Sequence, residues 1–254
     1  MCERSSATRV YDMKLGFLGC GTISSAVVRG LTGQGHSIIV SERSRSASAS
    51  LAAECDDVTV ADNGQVVAQS DVVFLGLLAD TAPIVLRELG FTKGQRVVSF
   101  IAGMDLAALA DLVAPAEATA IMLPFPGIST GGSPILALGE TGLLVDLFEP
   151  REQIFALKDQ CELDAYLSAQ AVLSPVALML AETAQWLGQN GGDQTQGEAF
   201  LRALVCNSLS STSSSALVDA LNTPGGFNQR LRRHMDSAGI VGDLTEGLDR
   251  LKNG

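Results

Sequence analysis

Runs of lysine or arginine are missing from this sequence, and lysine itself occurs only four times. Acidic residues outnumber basic ones, so the formal net charge is -11 at pH 7. Nucleic acids and anionic membrane surfaces attract basic patches. The sequence therefore predicts no nucleic-acid partner and no membrane partner, and it favours a small-molecule ligand.

Paired cysteines are missing as well. The five cysteines are Cys2, Cys20, Cys55, Cys161 and Cys206, and no two of them form a CxxC pair. This scatter argues against a disulfide scaffold and against a structural zinc site, so no metal site is predicted. Single reduced thiols are typical of a cytoplasmic protein.

Long apolar runs and aromatic residues are scarce. No apolar run approaches the roughly 18 residues of a membrane span, and residues 1–12 lack the apolar core of a signal peptide. We therefore expect a soluble, cytoplasmic protein with a disordered leader over residues 1–12. Because only 5% of the residues are aromatic and 26 are glycine, helices packed on a sheet are favoured over an aromatic β-sandwich.

What the chain does contain is an alternation of short apolar runs and helical patterns. Strands are predicted from residue 14 and at residues 37–40, 58–60, 72–76, 95–100 and 118–122, with two further candidates at 133–138 and 153–157. Helical patterns at residues 64–69, 81–89 and 106–113 separate several of them. Such alternation is typical of a parallel sheet with helices on both faces.

Beyond these strands the pattern is helical only. Apolar residues recur at helical spacing over residues 160–190, 194–221 and 226–252. A serine-rich run at residues 207–217 is predicted to be helical rather than a hinge, and its small side chains would let helices pack closely, including across a dimer. We thus predict an α/β domain over residues 13–159 and an all-helical dimerisation and substrate domain over residues 160–254.

The turn after the first strand carries the chemistry of a dinucleotide site. Gly19 and Gly21 follow the strand, and Ser24 stands where a third glycine or alanine is usual. The glycines permit a tight turn and a close approach of a pyrophosphate, while Thr22 and Ile23 open a helix whose N–H groups are free. This predicts a Rossmann domain holding a nicotinamide cofactor, with a turn that only packs as the alternative.

The segment after the second strand bears on the choice of cofactor. Glu42 is suited to the adenosine ribose of NAD, whereas Ser41, Arg43, Ser44 and Arg45 offer hydroxyl groups and positive charge for the 2′-phosphate of NADP. The balance favours NADP, with NAD as the second candidate. An ordinary solvated loop is the alternative.

Several segments together resemble the pyrroline-5-carboxylate reductase family. They are GFLGCGTISSAVVRGL from Gly16, VSER from Val40, ADNGQVV from Ala61, SFIAGM from Ser99 and TPGG from Thr223. The resemblance implies a Rossmann domain followed by a helical dimerisation domain, and a homodimer. It implies hydride transfer from NAD(P)H to the C=N bond of a cyclic imine, which in that family yields proline.

The resemblance also assigns roles to individual residues. Asn63 would contact the adenosine ribose, and Ala102 and Gly103 would lie near the nicotinamide. From the residues alone, Asn63 is equally suited to cap a helix, and the segment around Gly103 to form a simple strand-to-helix turn. The predicted cofactor-binding residues are Gly19, Gly21, Thr22, Ile23, Ser41, Arg43, Ser44, Asn63, Ala102 and Gly103.

The TPGG segment is the candidate substrate site. By resemblance, this turn and the next helix hold a carboxylate through hydroxyl and backbone N–H donors. Gly225 and Gly226 are predicted to bind substrate, and Thr223 and Asn228 are the catalytic candidates, with the nicotinamide facing a cleft between the two domains. The alternative is that Pro-Gly-Gly only separates two helices.

The sequence departs from the family pattern on the substrate side. The Ser-Gly-Ser-Gly-Pro-Ala-Tyr-like stretch is replaced by AQAVLSPVAL from Ala169, and a threonine suited to proton relay by Phe227 and Asn228. The Met-Pro-Asn segment becomes Leu-Pro-Phe from Leu123, and Lys-Pro becomes Leu78-Ala79. These changes predict a different, bulkier or more apolar imine or carbonyl substrate.

Two other functions are compatible with a Rossmann domain followed by helices. A hydroxyacid dehydrogenase of the 6-phosphogluconate type needs a catalytic lysine in the helical domain, and this chain has only the terminal Lys252 there. His36 and His234 are predicted to be surface residues rather than substitutes for it. A non-catalytic NADP(H)-binding regulatory protein remains open, because the lost substrate motifs are what it predicts.

Overall fold

The computed structural model describes residues 12–253. The leader predicted for residues 1–12 therefore lies, apart from Asp12, outside the described residues. The chain divides into two compact units at Leu163 and Asp164, a few residues beyond the boundary predicted at 159/160. The first unit combines a sheet with helices and the second is entirely helical, which confirms the predicted fold class.

Eight strands form one sheet in the first unit. They are β1 (Lys14–Leu18), β2 (Ser37–Ser41), β3 (Val58–Ala61), β4 (Val72–Leu75), β5 (Arg96–Ser99), β6 (Glu117–Pro124), β7 (Pro134–Gly139) and β8 (Gln153–Leu157). Their order is β3-β2-β1-β4-β5-β6-β7-β8. All neighbours are parallel except β6 and β7, so the sheet is not purely parallel as predicted.

The central strands are apolar on both faces because helices cover both. Alternate residues of β4 belong to opposite cores: Val72 and Phe74 lie in one buried cluster and Val73 and Leu75 in the other. The ring of Phe74 stacks on that of Phe17, with centroids 4.7 Å apart. These two cores fix the ends of the strands, and therefore the turns that follow them.

Helices connect the strands of the first unit. They are α1 (Thr22–Leu31), α2 (Arg45–Glu54), α3 (Asn63–Ala68), α4 (Ala82–Leu86), α5 (Leu106–Val113) and α6 (Gly142–Phe148), with a 3-10 turn at Pro126–Ser129. The sequence patterns did not indicate α2 or α6. The α2 helix turns only Ser48 and Leu51 into the core, too few to give a clear helical stripe.

The second unit contains more helices than the three long patterns suggest. The helices are α7 (Gln160–Ala169), which crosses the unit boundary, α8 (Leu173–Gln189), α9 (Gln194–Ser211), α10 (Ser214–Ala220), α11 (Phe227–Ser237) and α12 (Ile240–Asn253). The prediction of one helix through the serine-rich run is wrong at Thr212, because α9 ends at Ser211 and Thr212 is extended. Ser213 caps α10 by accepting the N–H of Ala216 at 3.4 Å.

The helical unit buries few of its apolar side chains. Trp186 is 62% exposed and Phe200 60% exposed. Within the described residues, one helical stretch, Gln160–Gln189, is long and apolar enough to cross a membrane by length and composition alone, and 6% of its most apolar window is buried. A single stretch of this kind is weak evidence for a span, since helices of other proteins pass the same test.

Candidate functional site

The turn after β1 has the geometry that the glycine pattern predicts. Gly19 adopts a φ of 91°, a left-handed conformation that favours glycine. A Cβ on Gly19 would collide with the carbonyl oxygen of Gly76, which follows β4. In the sheet, β2 and β3 lie on one side of β1, and β4 and β5 lie on the other, so the direction of the strand order changes between β1 and β4. The contact between Gly19 and Gly76 lies at this switch point, where ligands of such sheets bind.

Gly76 was not singled out by the sequence patterns, yet it completes the turn. A Cβ at Gly76 would overlap the hydroxyl oxygen of Ser24, the third residue of the glycine pattern. The Gly76 N–H also donates to the carbonyl of Leu18 at 2.8 Å. Ser24 thus takes the place of a glycine or alanine because the opposite strand end has no side chain.

Gly21 faces open space. Within residues 12–253, and apart from the two neighbours of Gly21 in the chain, no atom lies within 4 Å of a Cβ built on it. Gly21 and Thr22 are exposed, and Ile23 is half-buried. Gly21 is also the N-cap of α1, where no side chain accepts a hydrogen bond and no acidic residue stands in the first turn. A helix start of this kind leaves N–H groups and a positive dipole end for phosphate groups.

Ser41 has another role than the one predicted. Its side chain is fully buried, and its hydroxyl oxygen accepts the N–H of Gly19 at 2.8 Å. The Cys20 thiol donates to the Ser41 carbonyl at 3.5 Å. Ser41 therefore cannot offer its hydroxyl to a 2′-phosphate at the surface, and instead it holds the glycine turn against β2.

Burial also determines the chemistry of Cys20. Removal of the thiol from water raises the pKa of Cys20 to about 11, and the hydrogen bonds with Ser41 offset this only in part. The thiol is therefore protonated at neutral pH. Although it lies within the glycine turn, it is a packing residue and not a nucleophile.

Three of the predicted adenosine-side residues line one cavity near the ends of β2 and β3. Glu42, Arg43, Asn63 and the unpredicted Asp62 line an open cavity of about 390 Å³ together with Gly64. The pairing of Ser41 with Ala61 brings these strand ends side by side. Ser44 is the half-buried N-cap residue of α2, adjoining Arg43 in sequence, and its hydroxyl makes no capping bond.

Asp62, not Asn63, is the cap of α3. Its side-chain oxygen accepts the N–H of Gln65 at 2.9 Å, and Asn63 is the first helical residue. The capping alternative for Asn63 is therefore wrong. Its amide remains at the cavity, where it can bond a ribose, while Asp62 adds a second carboxylate beside that of Glu42.

Ala102 and Gly103 follow β5, two strands from β1 in the sheet. Both are exposed, and Gly103 has a φ of 79°. Asp105 then caps α5 by accepting the N–H of Ala108 at 2.7 Å. The segment is thus a strand-to-helix turn with its backbone open to a ligand at the carboxyl edge of the sheet.

The predicted substrate turn lies in the helical unit. Gly225 has a φ of 74°, and Gly226 is the N-cap of α11, with no side-chain capping bond. Thr223 and Asn228 are both exposed. Asn228 lines a cavity of about 350 Å³ with Leu221, Leu231, Arg232 and Met235, among others.

The two glycine N–H groups of this turn are not free donors. The N–H of Gly225 donates to Oε1 of Gln229 at 3.0 Å, and that of Gly226 to the Thr223 carbonyl at 3.0 Å. A carboxylate bound by these two groups would replace these hydrogen bonds, and the role of Gly225 and Gly226 in substrate binding stays a prediction. The sequence does not indicate this role of Gln229, because a lone glutamine in a polar helix resembles a surface residue. In the structure Gln229 is only 5% exposed.

The chain is similar in sequence to known reductases. Residues 14–103 match the family described as NADP oxidoreductase, coenzyme F420-dependent. Pyrroline-5-carboxylate reductase 3 of Danio rerio is 30% identical over 144 residues, which are 54% of this chain and 50% of that protein. The chain thus spans about half the length of this curated relative.

Solved structures show the likeness in fold. A 1-pyrroline-5-carboxylate reductase from Streptococcus pyogenes superposes with a TM-score of 0.81 at 22% identity, covering 95% of this chain and 97% of that one. The Plasmodium falciparum pyrroline carboxylate reductase with NADP bound gives 0.77 at 14% identity, covering 95% and 96%. These comparisons confirm the predicted resemblance: the chain has the fold of the pyrroline-5-carboxylate reductase family over nearly its whole length, and its sequence is similar to a member over about half.

Proposed function

We propose that this protein is an NAD(P)H-dependent reductase that transfers hydride to the C=N bond of an imine, either pyrroline-5-carboxylate or a related compound. The observation that carries the proposal is the open helix start at Gly21, held by a glycine turn that packs against Gly76. The residues there fit a dinucleotide. The likeness to pyrroline-5-carboxylate reductases supports the imine as substrate.

The side chains and backbone of the first unit would bind and orient the cofactor. The N–H groups of Thr22 and Ile23 would hold the pyrophosphate, and the exposed backbone of Ala102 and Gly103 would border the nicotinamide. When bound, the reduced nicotinamide supplies a hydride to the imine carbon while the imine nitrogen takes a proton, so that C=N and NAD(P)H become CH–NH and NAD(P)+.

We propose NADPH as the preferred cofactor, with NADH also accepted. Arg43 is the cation at the adenosine cavity, and its guanidinium is suited to a 2′-phosphate. Glu42 and Asp62 line the same cavity with carboxylates, which repel a phosphate and bind a ribose hydroxyl. The preference for NADPH should therefore be modest.

In the helical unit, Thr223 and Asn228 remain the residues that we propose to contact substrate. The Thr223 hydroxyl is exposed at the turn, and the Asn228 amide borders a cavity. An amide holds a substrate atom by a hydrogen bond but is a poor proton relay. The proton on nitrogen is therefore expected to come from water or from the Thr223 hydroxyl.

We also propose that the helical unit pairs with a second copy of the chain. Its exposed apolar side chains include Leu173, Leu178, Trp186, Phe200, Leu231 and Leu251. Large apolar side chains exposed in this number are typical of an interface, and the stretch at Gln160–Gln189 would be covered by the same contact. Sedimentation in detergent-free buffer should give a homodimer, and Trp186→Glu should shift it towards monomer; a soluble wild-type monomer contradicts the pairing.

A direct binding experiment tests the cofactor site. Titration of NADPH, followed by its fluorescence, should give saturable binding to the wild type and none to Gly21→Trp, because the indole would occupy the phosphate position. Gly90→Trp is the matched control, since Gly90 is exposed and a Cβ there also meets no atom within 4 Å. Equal binding by wild type and Gly21→Trp contradicts the assignment.

A second function is favoured by the residues that replace the usual threonine, namely Phe227 and Asn228. A protein that binds NADP(H) to regulate a partner needs no proton donor. It predicts saturable NADPH binding with no turnover of any imine or carbonyl compound. Steady consumption of NADPH with any one such compound excludes it.

A further inference from the structure

The side chain of Gln229 ties the turn between α10 and α11 to the helix that follows it. Gln229 is the third residue of α11, and its Oε1 accepts the Gly225 N–H at 3.0 Å. Its Nε2 donates to the Asn222 side-chain oxygen at 3.0 Å and to the Asn222 carbonyl at 3.3 Å. One amide group thus joins both ends of residues 222–225 to the helix.

Hydrogen bonds rather than apolar packing hold this end of α11. Gln229 is the one buried residue in the helix, every residue of which the structure describes, and it is 5% exposed. Phe227, which opens the helix, is 89% exposed. Loss of the Gln229 amide would therefore remove three hydrogen bonds that restrain the turn.

The same turn places Thr223 against the start of α11. The Gly226 N–H donates to the Thr223 carbonyl at 3.0 Å, and a Cβ built on Gly226 would lie 3.5 Å from the Thr223 Cβ. Gly226 is the N-cap residue, and no side chain caps the helix. The N–H groups of Phe227 and Asn228 therefore have no acceptor within the helix, and they lie next to Thr223.

The groups at this helix start favour an anion. The helix start carries the positive end of the helix dipole, and no acidic residue stands in the first turn of α11. The Arg232 guanidinium is tied to the same turn, since it donates to the Asn222 side-chain oxygen at 2.7 Å. Backbone N–H groups, a hydroxyl and a positive dipole end together suit a carboxylate or a similar anionic group.

We infer that Gln229 is a positioning residue of the proposed reductase, which holds Thr223 and the start of α11 in the arrangement that binds an anionic group of the substrate. The inference rests on the proposed imine reduction and deepens it. Gln229 acts through Gly225 and Asn222 rather than by touching the substrate. Its loss should therefore weaken the binding of an anionic substrate and leave the hydride step intact.

Kinetics with two substrates that share a ring test the inference. With NADPH, Gln229→Leu should raise the KM for 1-pyrroline-5-carboxylate by about tenfold, as loss of one charge-assisted hydrogen bond does. The KM for 1-pyrroline, which has no carboxylate, and both kcat values should change by less than about twofold. Gln196→Leu, at an exposed glutamine of α9, is the matched control. Equal changes in KM for the two substrates, or none, overturn the inference.

A double-mutant cycle tests whether Gln229 acts through Asn222. Asn222→Ala removes the side-chain oxygen that accepts from Gln229 and from Arg232. It should also raise the KM for 1-pyrroline-5-carboxylate. Because both substitutions release the same turn, the double variant should lose less than the product of the two separate factors. Independent, fully multiplicative losses would contradict the positioning role.

A binding measurement needs no turnover. The protein is labelled with isotopic phenylalanine and loaded with NADP+. The Phe227 amide resonance, identified by its loss in Phe227→Leu, is then followed by NMR while pyrrole-2-carboxylate is added. The wild type should show a saturable shift, and pyrrole itself should cause none. Gln229→Leu should need about tenfold more of the carboxylate, whereas Gln196→Leu should behave as wild type.

The outcomes separate the inference from the function on which it rests. A wild type without a saturable Phe227 shift, or a shift that Gln229→Leu does not weaken, overturns the inference, whatever the kinetics. If the shifts behave as expected while NADPH binds and no imine is reduced, the proposed reductase activity fails and the positioning by Gln229 stands. Should Gln229→Leu not fold, Asn222→Ala takes its place in both experiments, and an unchanged affinity for the carboxylate then overturns the inference.

Discussion

The two units of the chain bury their side chains in opposite ways. In the first unit, β1 and β4 are almost fully buried and two apolar clusters lie against the sheet. In the second, the buried side chains within the described residues are few, Ala184 and Gln229 among them, while Trp186 and Phe200 are more than half exposed. The first unit therefore has a core of its own, whereas the second leaves most of its large apolar side chains exposed.

Because of this difference in burial, side chains are held in position by different forces in the two units. A sheet with two cores holds strand ends at fixed positions, which suits a cofactor that requires an exact turn at Gly19 and Gly21. Helices without a core of their own are held by what they pack against. Polar clamps such as Gln229, rather than apolar packing, then keep a local turn in shape.

The largest effect is expected from a truncation in the core of the first unit. Phe74 is fully buried and stacks on Phe17, so Phe74→Ala should lower the free energy of unfolding by about 3–5 kcal/mol. Urea unfolding followed by circular dichroism measures it. Phe227→Ala is the comparison from the second unit, because Phe227 is 89% exposed, and it should change stability by less than about 0.5 kcal/mol.

A smaller loss of stability is expected from a substitution at Ser41, which joins strand β2 to the glycine turn. Ser41→Ala leaves the buried N–H of Gly19 without its acceptor, which should cost about 1–3 kcal/mol and also weaken NADPH binding because the turn loosens. Ser48→Ala is the matched control, since Ser48 is a buried serine bonded within α2. Unaltered NADPH affinity in Ser41→Ala would show that the turn holds without this bond.

Removal of the positive charge of Arg43 from the adenosine cavity should weaken the binding of one cofactor more than that of the other. Arg43→Ala is expected to weaken NADPH binding by about tenfold, in line with the loss of one charge-assisted hydrogen bond, and to leave NADH binding nearly unchanged. Arg87→Ala, an exposed arginine near the end of α4, controls for net charge. Equal losses for both cofactors would assign Arg43 to a group that the two share, such as the pyrophosphate.

The smallest effect concerns thiol reactivity. Burial raises the pKa of Cys20 to about 11, so at pH 8 its reactive thiolate is scarce, and its fraction grows only as the pH approaches that value. Cys161 and Cys206 are exposed. Mass spectrometry after brief alkylation at pH 8 should find both modified and Cys20 unmodified; rapid modification of Cys20 would show that the turn opens.

The same contrast governs what the sequence could predict. The strands of the first unit were recognisable because apolar runs of strand length end in glycines, and the observed β7 and β8 agree closely with the two weaker candidates. The glycine turn was recognisable because its spacing reflects a steric need. Helix α2 was not, because only Ser48 and Leu51 face the core.

The candidate site was predictable in its backbone and less so in its side chains. Ser41 was expected at the surface because a serine beside two arginines resembles a phosphate site, but strand β2 turns it inward to Gly19. Gln229 gave no signal, since one buried amide has no periodicity, whereas Asp62 and Gln65 have the spacing of a helix cap that the apolar pattern does not include. Such roles depend on contacts between residues and cannot be read from spacing.

Consumption of reduced nicotinamide is the measurement that tests the central claim most directly. The purified protein is mixed with NADPH and, in turn, with 1-pyrroline, 1-pyrroline-5-carboxylate and an acyclic imine, with Gly21→Trp as the control. We predict that absorbance of the reduced nicotinamide falls with at least one imine in the wild type and with none in Gly21→Trp. Saturable NADPH binding with no imine consumed would contradict the account and favour a regulatory dinucleotide-binding protein.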